Sequence, residues 1–473
     1  MQLVGSAFGQ SSRSLFASSS PYNLFSKREI TPRSTFLFEQ RIERQLRMIG
    51  REILQGAIQN IESDDPLTVQ PSFQFQGQSY RRNRRTNKSI DTRFGTIVYQ
   101  RWFFQNTLPE TPGIAPLDVR LGLFAERMTP GLAEVVGRLA GDLPQQATLD
   151  MVQERFGLRP SVDTLRQVIA DVASQVRVHH DEVAIDQMLQ WAEQANKSEG
   201  NQRVLLQVGR DGVFVPIRLN SKYEESSCGT LSIFDRQGQR LGTIYLGEMP
   251  EANQLTMTSR MTHVITEFLR RLSGEVPTLR YVTDAGSLQQ TYFREVLKSM
   301  SHPVTNEPLT WTWGVDFFHA CEYVTKIANA IFGTNTVKAK EWASEHRQIL
   351  RDEVNGVSSV IRSAAQRRRR NGLKGDLEDY TKAINYLRNY RVNMDYAERR
   401  AKNEPIGSGI TEAGCKVIFN QRLKQSGMKW YRETGQYIVD LRTALRSKIW
   451  MPIWNRIIDV VKPLPPLSQK HIN

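Results

Sequence analysis

Apolar residues recur at helical spacing between positions 36 and 62, where Ile42, Leu46, Ile49, Ile53 and Ile61 alternate with Arg and Glu. That period predicts one long helix with its apolar stripe packed into a core, a dimer contact being the alternative that no sustained heptad supports. After a Gln/Gly-rich link, the run from Gly95 to Phe104 predicts a strand, with Phe94-Gly95 as the turn before it. Residues 129–177 read as three helices, over 130–143, over 146–156 and, past the break at Gly157-Leu158-Arg159-Pro160, a third capped by Ser161. Leu165, Val168, Ile169 and Val172 form the inner face of that third helix. A helix, a short Gly-containing turn and a capped helix have the shape of a helix-turn-helix, a shape that ordinary helical hairpins share. Residues 178–200 close the segment as a polar helix and an Asn/Ser/Gly linker.

From 203 onward the pattern changes to strands. Residues 204–208 and 213–219 flank Asp211-Gly212, and residues 229–234 and 241–246 form a hairpin across Asp235-Arg236-Gln237-Gly238. A helix over 254–272 leads to a short strand, 279–283, ending at Asp284. A helix over 287–300 then leads to a strand, 311–315, ending at Asp316. An antiparallel meander followed by late strands separated by helices predicts an α/β fold, a mixed sheet with helices on its faces. Residues 317–401 read as almost wholly helical. Gly407-Ser408-Gly409 breaks that run, and Ser408 caps a helix over 412–424 with Glu412 in its first turn. The tail from 463 is Pro-rich and reads as loose.

Composition narrows the partners. The length of 473 residues suggests roughly three domains, and 39% hydrophobic residues suffice for real cores. A formal charge of +14 suits a polyanion, nucleic acid before membrane. No apolar run reaches the ~18–20 residues of a spanning helix, so no membrane partner is expected. The three cysteines are scattered and form no CxxC pair, which excludes a disulfide framework and a Cys-rich zinc module. A reducing, cytoplasmic compartment follows. Residues 1–28 are Ser-rich and hold no Asp or Glu. They read as a disordered start, with an organellar transit peptide as the alternative.

The charge is clustered. Seven Lys/Arg face one Asp between Tyr80 and Trp102, led by Arg81, Arg82, Arg84 and Arg85. A basic segment with aromatics at a strand edge fits phosphate contact, with a solvated charge run as the alternative. The same two readings apply to Arg367, Arg368, Arg369 and Arg370. After Glu412 the next acid is Glu433, and Lys416, Arg422, Lys424, Lys429 and Arg432 lie between them. Arg422, Lys424, Lys429 and Trp430 are therefore candidate DNA contacts.

Asp211, Asp284 and Glu412 are the candidate chemistry. Breaking a phosphodiester requires charge stabilisation on the attacking and leaving oxygens, which two divalent ions supply. Hard ions such as Mg²⁺ or Mn²⁺ take oxygen ligands, so carboxylates serve better than His or Cys. These three are expected to converge at one sheet edge, beyond the carboxyl ends of strands. Each has a plainer reading. Asp211-Gly212 fits a hairpin turn, Asp284 a helix cap, and Glu412 a partner of the helix dipole and of Lys416. His319 stands one helical turn from Asp316 and Glu322, where it is an auxiliary to the chemistry or a structural histidine.

Several stretches together resemble a DDE-type transposase of bacterial insertion sequences, within the Mutator-like superfamily. They are Asp211-Gly212, Gly238-Gln239-Arg240-Leu241-Gly242-Thr243-Ile244-Tyr245-Leu246-Gly247-Glu248, Thr283-Asp284-Ala285-Gly286, Asp316-Phe317-Phe318-His319-Ala320, and the segment from Pro405 to Lys416. The likeness covers about 203–450. It implies a ribonuclease-H-like mixed sheet with an all-α insertion, preceded by a mainly helical N-terminal DNA-binding region with a small β element. It implies Asp211, Asp284 and Glu412 as the triad on two Mg²⁺ or Mn²⁺ ions, and Asp316-x-x-His319 as the superfamily's Cys/Asp-x-x-His motif. Recognition of terminal repeats, strand cleavage and strand transfer would be the catalytic cycle. A homodimer or higher multimer on double-stranded DNA, associated with the nucleoid, would be the working form. The expected organisation is a basic start (1–35), an end-binding helix and β element (36–128), a helical segment (129–200), the first part of the core (203–325), the helical insertion (326–403), the final core helices (404–460) and a tail (461–473). A nuclease without strand transfer and a DNA-binding regulator with a decayed centre are the alternatives.

Overall fold

The computed structural model describes residues 31–218, 222–459 and 463–467. Most of the expected disordered start and the end of the expected loose tail lie outside them. The described residues divide into two compact units, one of residues 31–121, 153–158 and 464–467, the other of 122–152, 159–218, 222–459 and 463.

In the smaller unit, α1 (Pro32–Gln59) begins at Thr31, whose hydroxyl accepts the Ser34 N–H, with proline in the first turn. An antiparallel sheet follows, β1 (Ser72–Phe75), β2 (Gln78–Thr92) and β3 (Gly95–Asn106), with Gly95 at φ +110° supplying the turn. Val69, Phe73, Tyr80, Trp102 and Phe104 make its core. The basic run from Tyr80 to Arg85 lies within β2, and Tyr80 belongs to that core. A short helix, α2 (Pro116–Leu121), ends this part. The expectation that α1 buries its apolar stripe is overturned. Ile42, Leu46, Ile49 and Ile53 are exposed, and only Ile58 of the helix is buried. The face turned to the sheet is polar: Val98 and Gln100 of edge strand β3 donate their N–H groups to Gln55 and Gln59 Oε1 at 3.2 and 2.9 Å.

In the larger unit, α3 (Pro130–Asp142) precedes α4 (Gln145–Phe156), whose last residues belong to the smaller unit. Ser161 caps α5 (Val162–Lys197) by accepting the Thr164 N–H at 3.1 Å. This helix runs unbroken past 177, where sequence reading divided it. Val176, His180, Val183, Ala184 and Met188 continue its buried face between polar residues.

The sheet follows: β4 (Leu205–Pro216), β5 (Tyr223–Phe234), β6 (Arg240–Glu248), β7 (Thr278–Thr283) and β8 (Trp311–Val315), in the order β6-β5-β4-β7-β8. The first three are antiparallel, and β7 and β8 run parallel to β4. Helices α6 (Leu255–Arg271) and α7 (Ser287–Tyr292) precede β7 and β8, and α7 widens into a π-turn over Phe293–Leu297. A helical block follows: α8 (Phe317–Phe332), α9 (Val337–Asp352), α10 (Gly356–Asn371), α11 (Leu377–Asn389) and α12 (Tyr396–Ala401). It has its own core, which includes Val324, Ile331, Trp342, Val360 and Leu387. The chain then returns to the sheet as α13 (Gly409–Cys415), extended by a π-turn over Lys416–Asn420, and ends with α14 (Arg432–Arg446) and α15 (Trp450–Ile458). Among the described residues no helix is long and apolar enough to cross a membrane.

Candidate active site

Strand register puts the candidate acids on one level. Gly209 of β4 pairs with Val282 of β7, and Asp211 and Asp284 stand two residues beyond that pair. Thr283 pairs with Val315 of β8, and the next residues are Asp284 and Asp316. Asp284 and Asp316 thus follow the carboxyl ends of β7 and β8, the rim where ligands of open α/β sheets sit, and Asp211, midway along the longer β4, lies at the same level.

Asp211 is not in a hairpin turn, as the sequence allowed, but inside an unbroken strand. The reason is a change of face. Leu206, Val208 and Arg210 point to one side, where Arg210 is buried on Gln254, Thr258 and the Tyr292 ring. Val213 and Val215 point to the other and join Cys415, Ile418 and Phe419. The apolar phase therefore shifts by one residue at Asp211-Gly212, and in sequence this resembles a break.

α13 brings Glu412 to the same rim. The face at Thr411, Gly414 and Cys415 meets the sheet closely. Thr411 Oγ1 lies 2.8 Å from Thr230 Oγ1, and a Cβ on Gly209 would come to 2.0 Å from Thr411 Oγ1. A Cβ on Gly414 would stand 3.0 Å from Cys228 Sγ. These glycines serve close approach. Glu412, one position from the packed face, is exposed.

Asp316 holds the loop that starts α13. It is fully buried and caps α8 by accepting the His319 N–H at 2.5 Å. Its other oxygen accepts the Ser408 N–H and the Ser408 hydroxyl, the latter at 3.0 Å. Ser408 does not cap α13 through its side chain, as its sequence position suggested. Its hydroxyl instead sits between Asp316 and Glu412, 3.0 Å from Glu412 Oε1. Sequence reading missed this positioning role of Ser408, although a hydroxyl four residues before Glu412 was a usable signal.

The electrostatics tie the acids together. The Asp211 carboxyl is pushed up to about 6, by burial first, then by the Asp284 charge and to a smaller degree by Glu412. The Gly212 N–H at 2.7 Å and the Cys415 thiol at 3.5 Å act against that rise. Asp284 accepts the Gly286 N–H at 3.1 Å across Ala285, whose φ of +68° is a left-handed conformation uncommon for alanine. Among the described residues no group of three or more His, Cys, Asp or Glu is placed to hold a metal ion. The Asp284 and Glu412 charges act on Asp211 without the three closing into a cage. Their all-oxygen donor set still fits a hard divalent cation.

His319 lies beside this rim. Its Nδ1 is 3.5 Å from Glu322, and its ring packs edge-on against Tyr323 and Tyr386. The Tyr386 hydroxyl donates to the Asp284 carbonyl at 3.1 Å.

The candidate DNA contacts divide into two groups. Arg81, Arg84, Arg367, Arg368, Arg369, Arg370, Lys424 and Lys429 are exposed, and Arg368 lies over the Tyr380 ring. Arg82 donates to the Val69 carbonyl at 2.6 Å and covers Trp102, and Arg85 pairs with Asp64. Arg422 is corrected to an interior role. It is 3% exposed, lies over Trp430 and reaches the Ala140 carbonyl at 3.4 Å. Trp430 is half-buried, donates to the Leu423 carbonyl and bridges Ile217 through its backbone. Both hold the end of β4 in place.

No family model matches this chain, and no curated protein matches it.

Proposed function

We propose that the chain is a DDE-type transposase that cleaves DNA strands at the terminal inverted repeats of its element and transfers them to a target. The observation that supports this reading best is the common level of Asp211 and Asp284 on neighbouring parallel strands, with α13 packed on β4 so that the Glu412 charge reaches Asp211. The sheet order, three antiparallel strands followed by two parallel ones, supports a ribonuclease-H-like core. The helical block between β8 and α13 supports the insertion expected before the last catalytic helix.

In this reading Asp211, Asp284 and Glu412 would hold two Mg²⁺ or Mn²⁺ ions. Bound there, such ions stabilise charge on the attacking and leaving oxygens of an in-line displacement. The residues themselves supply placement. Gly212 and Cys415 fix the two oxygens of Asp211. Asp316 and Ser408 anchor the start of α13, and the Ser408 hydroxyl donates to exposed Glu412. His319 is an auxiliary donor to the scissile phosphate. Exposed arginines of β2 and α10 contact the DNA backbone, in a multimer that works on double-stranded DNA at the nucleoid.

Incubation of the purified protein with Mg²⁺ and DNA carrying the element's ends tests this. Nicked and joined products are expected, and Asp284→Asn should remove both. Hydrolysed ends without joining would identify a nuclease, and binding without cleavage a regulator.

A further inference from the structure

The turn after β7 is held in a shape that its own sequence does not favour. Ala285 has a φ of +68° and a buried side chain, which joins the core of the helical block. A non-glycine residue keeps a left-handed conformation only where its surroundings over-determine it. Here three successive carbonyls are fixed. Thr283 O accepts the Asp316 N–H at 2.9 Å. Asp284 O accepts the Tyr386 hydroxyl at 3.1 Å, and Ala285 O accepts Gln290 Nε2 at 2.7 Å. Gln290 Nε2 also donates to the Tyr390 hydroxyl at 2.6 Å. Tyr386 lies in the last turn of α11 and Tyr390 caps its end, 102 and 100 residues along the chain from the groups they meet. The Tyr386 ring is itself held. It stacks on Tyr323 at 3.8 Å and meets Tyr390 and His319 edge-on at 4.9 and 5.9 Å. Its hydroxyl therefore has one aim. A turn that only started α7 would not need these bonds, because the Gly286 N–H on Asp284 Oδ1 at 3.1 Å already closes it.

We propose that the helical block sets where the Asp284 carboxylate points, with Tyr386 and Gln290 as positioning residues. This rests on the reading of Asp284 as a metal-binding acid. The two side chains act through the backbone. With both carbonyls held, the peptide planes on either side of Ala285 are fixed, and with them the direction of the Asp284 Cα–Cβ bond. Loss of either bond lets Ala285 return to a negative φ, which turns the Asp284 peptide and moves its carboxylate off the level of Asp211. A hard divalent ion with a tight coordination sphere registers such a shift as lost affinity. The block is then more than a spacer between β8 and α13, since it braces one of the acids on the rim.

Titration of Mn²⁺ into the metal-free full chain, read by its free electron-spin signal, tests this on Tyr386→Phe, Gln290→Ala and Asp284→Asn. Tyr386→Phe keeps the stacked ring and removes only the hydroxyl. It and Gln290→Ala should each bind Mn²⁺ about 10-fold more weakly than the parent, while saturating at the parent's number of ions per chain. A merely structural role gives a different pattern, fewer ions bound at the parent's affinity because part of the protein is misfolded, and that result overturns the proposal. So does parent-like uptake by either positioning variant beside weakened uptake by Asp284→Asn, which leaves the metal reading of Asp284 intact. Parent-like uptake by Asp284→Asn, in contrast, removes that reading and the proposal with it.

Discussion

At the residue scale, Asp211 carries a cost that folding alone does not explain. Its carboxyl holds its proton more tightly than an ordinary aspartate because it is buried beside Asp284 and Glu412. A raised folded-state value means that its contribution to stability is full below about pH 4 and is lost as the pH rises through about 6. In metal-free buffer at pH 8, Asp211→Asn should therefore raise stability by about 1–2 kcal/mol, discounting for partial exposure, and this gain should vanish at pH 4. Urea unfolding at the two pH values measures both. A variant that is less stable than the parent at pH 8 would show that the carboxylate is there for structure. Gly209 is tested in the opposite direction. Gly209→Ala drives a methyl group into Thr411 and should cost about 1–3 kcal/mol. Adding Thr411→Ala should recover part of that loss, so the pair should be non-additive in a double-mutant cycle.

At the scale of elements, two aspartates that end neighbouring strands have different work. Asp284 is half-buried at the rim, whereas Asp316 is sealed inside and ties α8 to the loop before α13. Asp316→Ala removes a helix cap and leaves the buried Ser408 N–H without its acceptor, at a cost of about 2–3 kcal/mol in chemical denaturation. Asp316→Asn keeps an acceptor and should cost less. The strands ending at Asp284 and Asp316 could be read from the chain because each is a short apolar run with an acid at its end. β4 could not, because the faces of its buried residues change at Asp211-Gly212 and glycines flank the acid. α5 was shortened for a related reason, since its buried face passes through His180 among polar neighbours. α1 was legible as a helix but inverted in orientation. Periodicity shows that an apolar stripe exists, and only the hydrogen bonds of Gln55 and Gln59 show that the other side faces the sheet. Within the candidate site, Asp284 was legible from a strand end, Glu412 from one Gly-Ser-Gly break, and Asp211 from an Asp-Gly pair that only resembles a strand end. The Ser408 link was not, because it depends on a loop 92 residues away from Asp316 in sequence.

At the scale of the whole molecule, the charge of +14 sets how the chain meets a polyanion. Arg367, Arg368, Arg369 and Arg370 form an exposed run at the end of α10. Replacing all four with Gln should leave thermal stability within about 0.5 kcal/mol while weakening DNA binding, and should reduce the slope of log K against log salt by up to about 3–4. An unchanged slope would remove this helix from the DNA path. The central claim concerns Asp211, Asp284 and Glu412, which lie far apart in sequence and are proposed to share divalent cations. Titration of Mn²⁺ into the metal-free protein, followed by the loss of its free electron-spin signal, tests it most directly. The parent should take up Mn²⁺, and Asp211→Asn, Asp284→Asn and Glu412→Gln should each weaken uptake by at least about 10-fold. Uptake by any of the three variants equal to that of the parent would contradict the account.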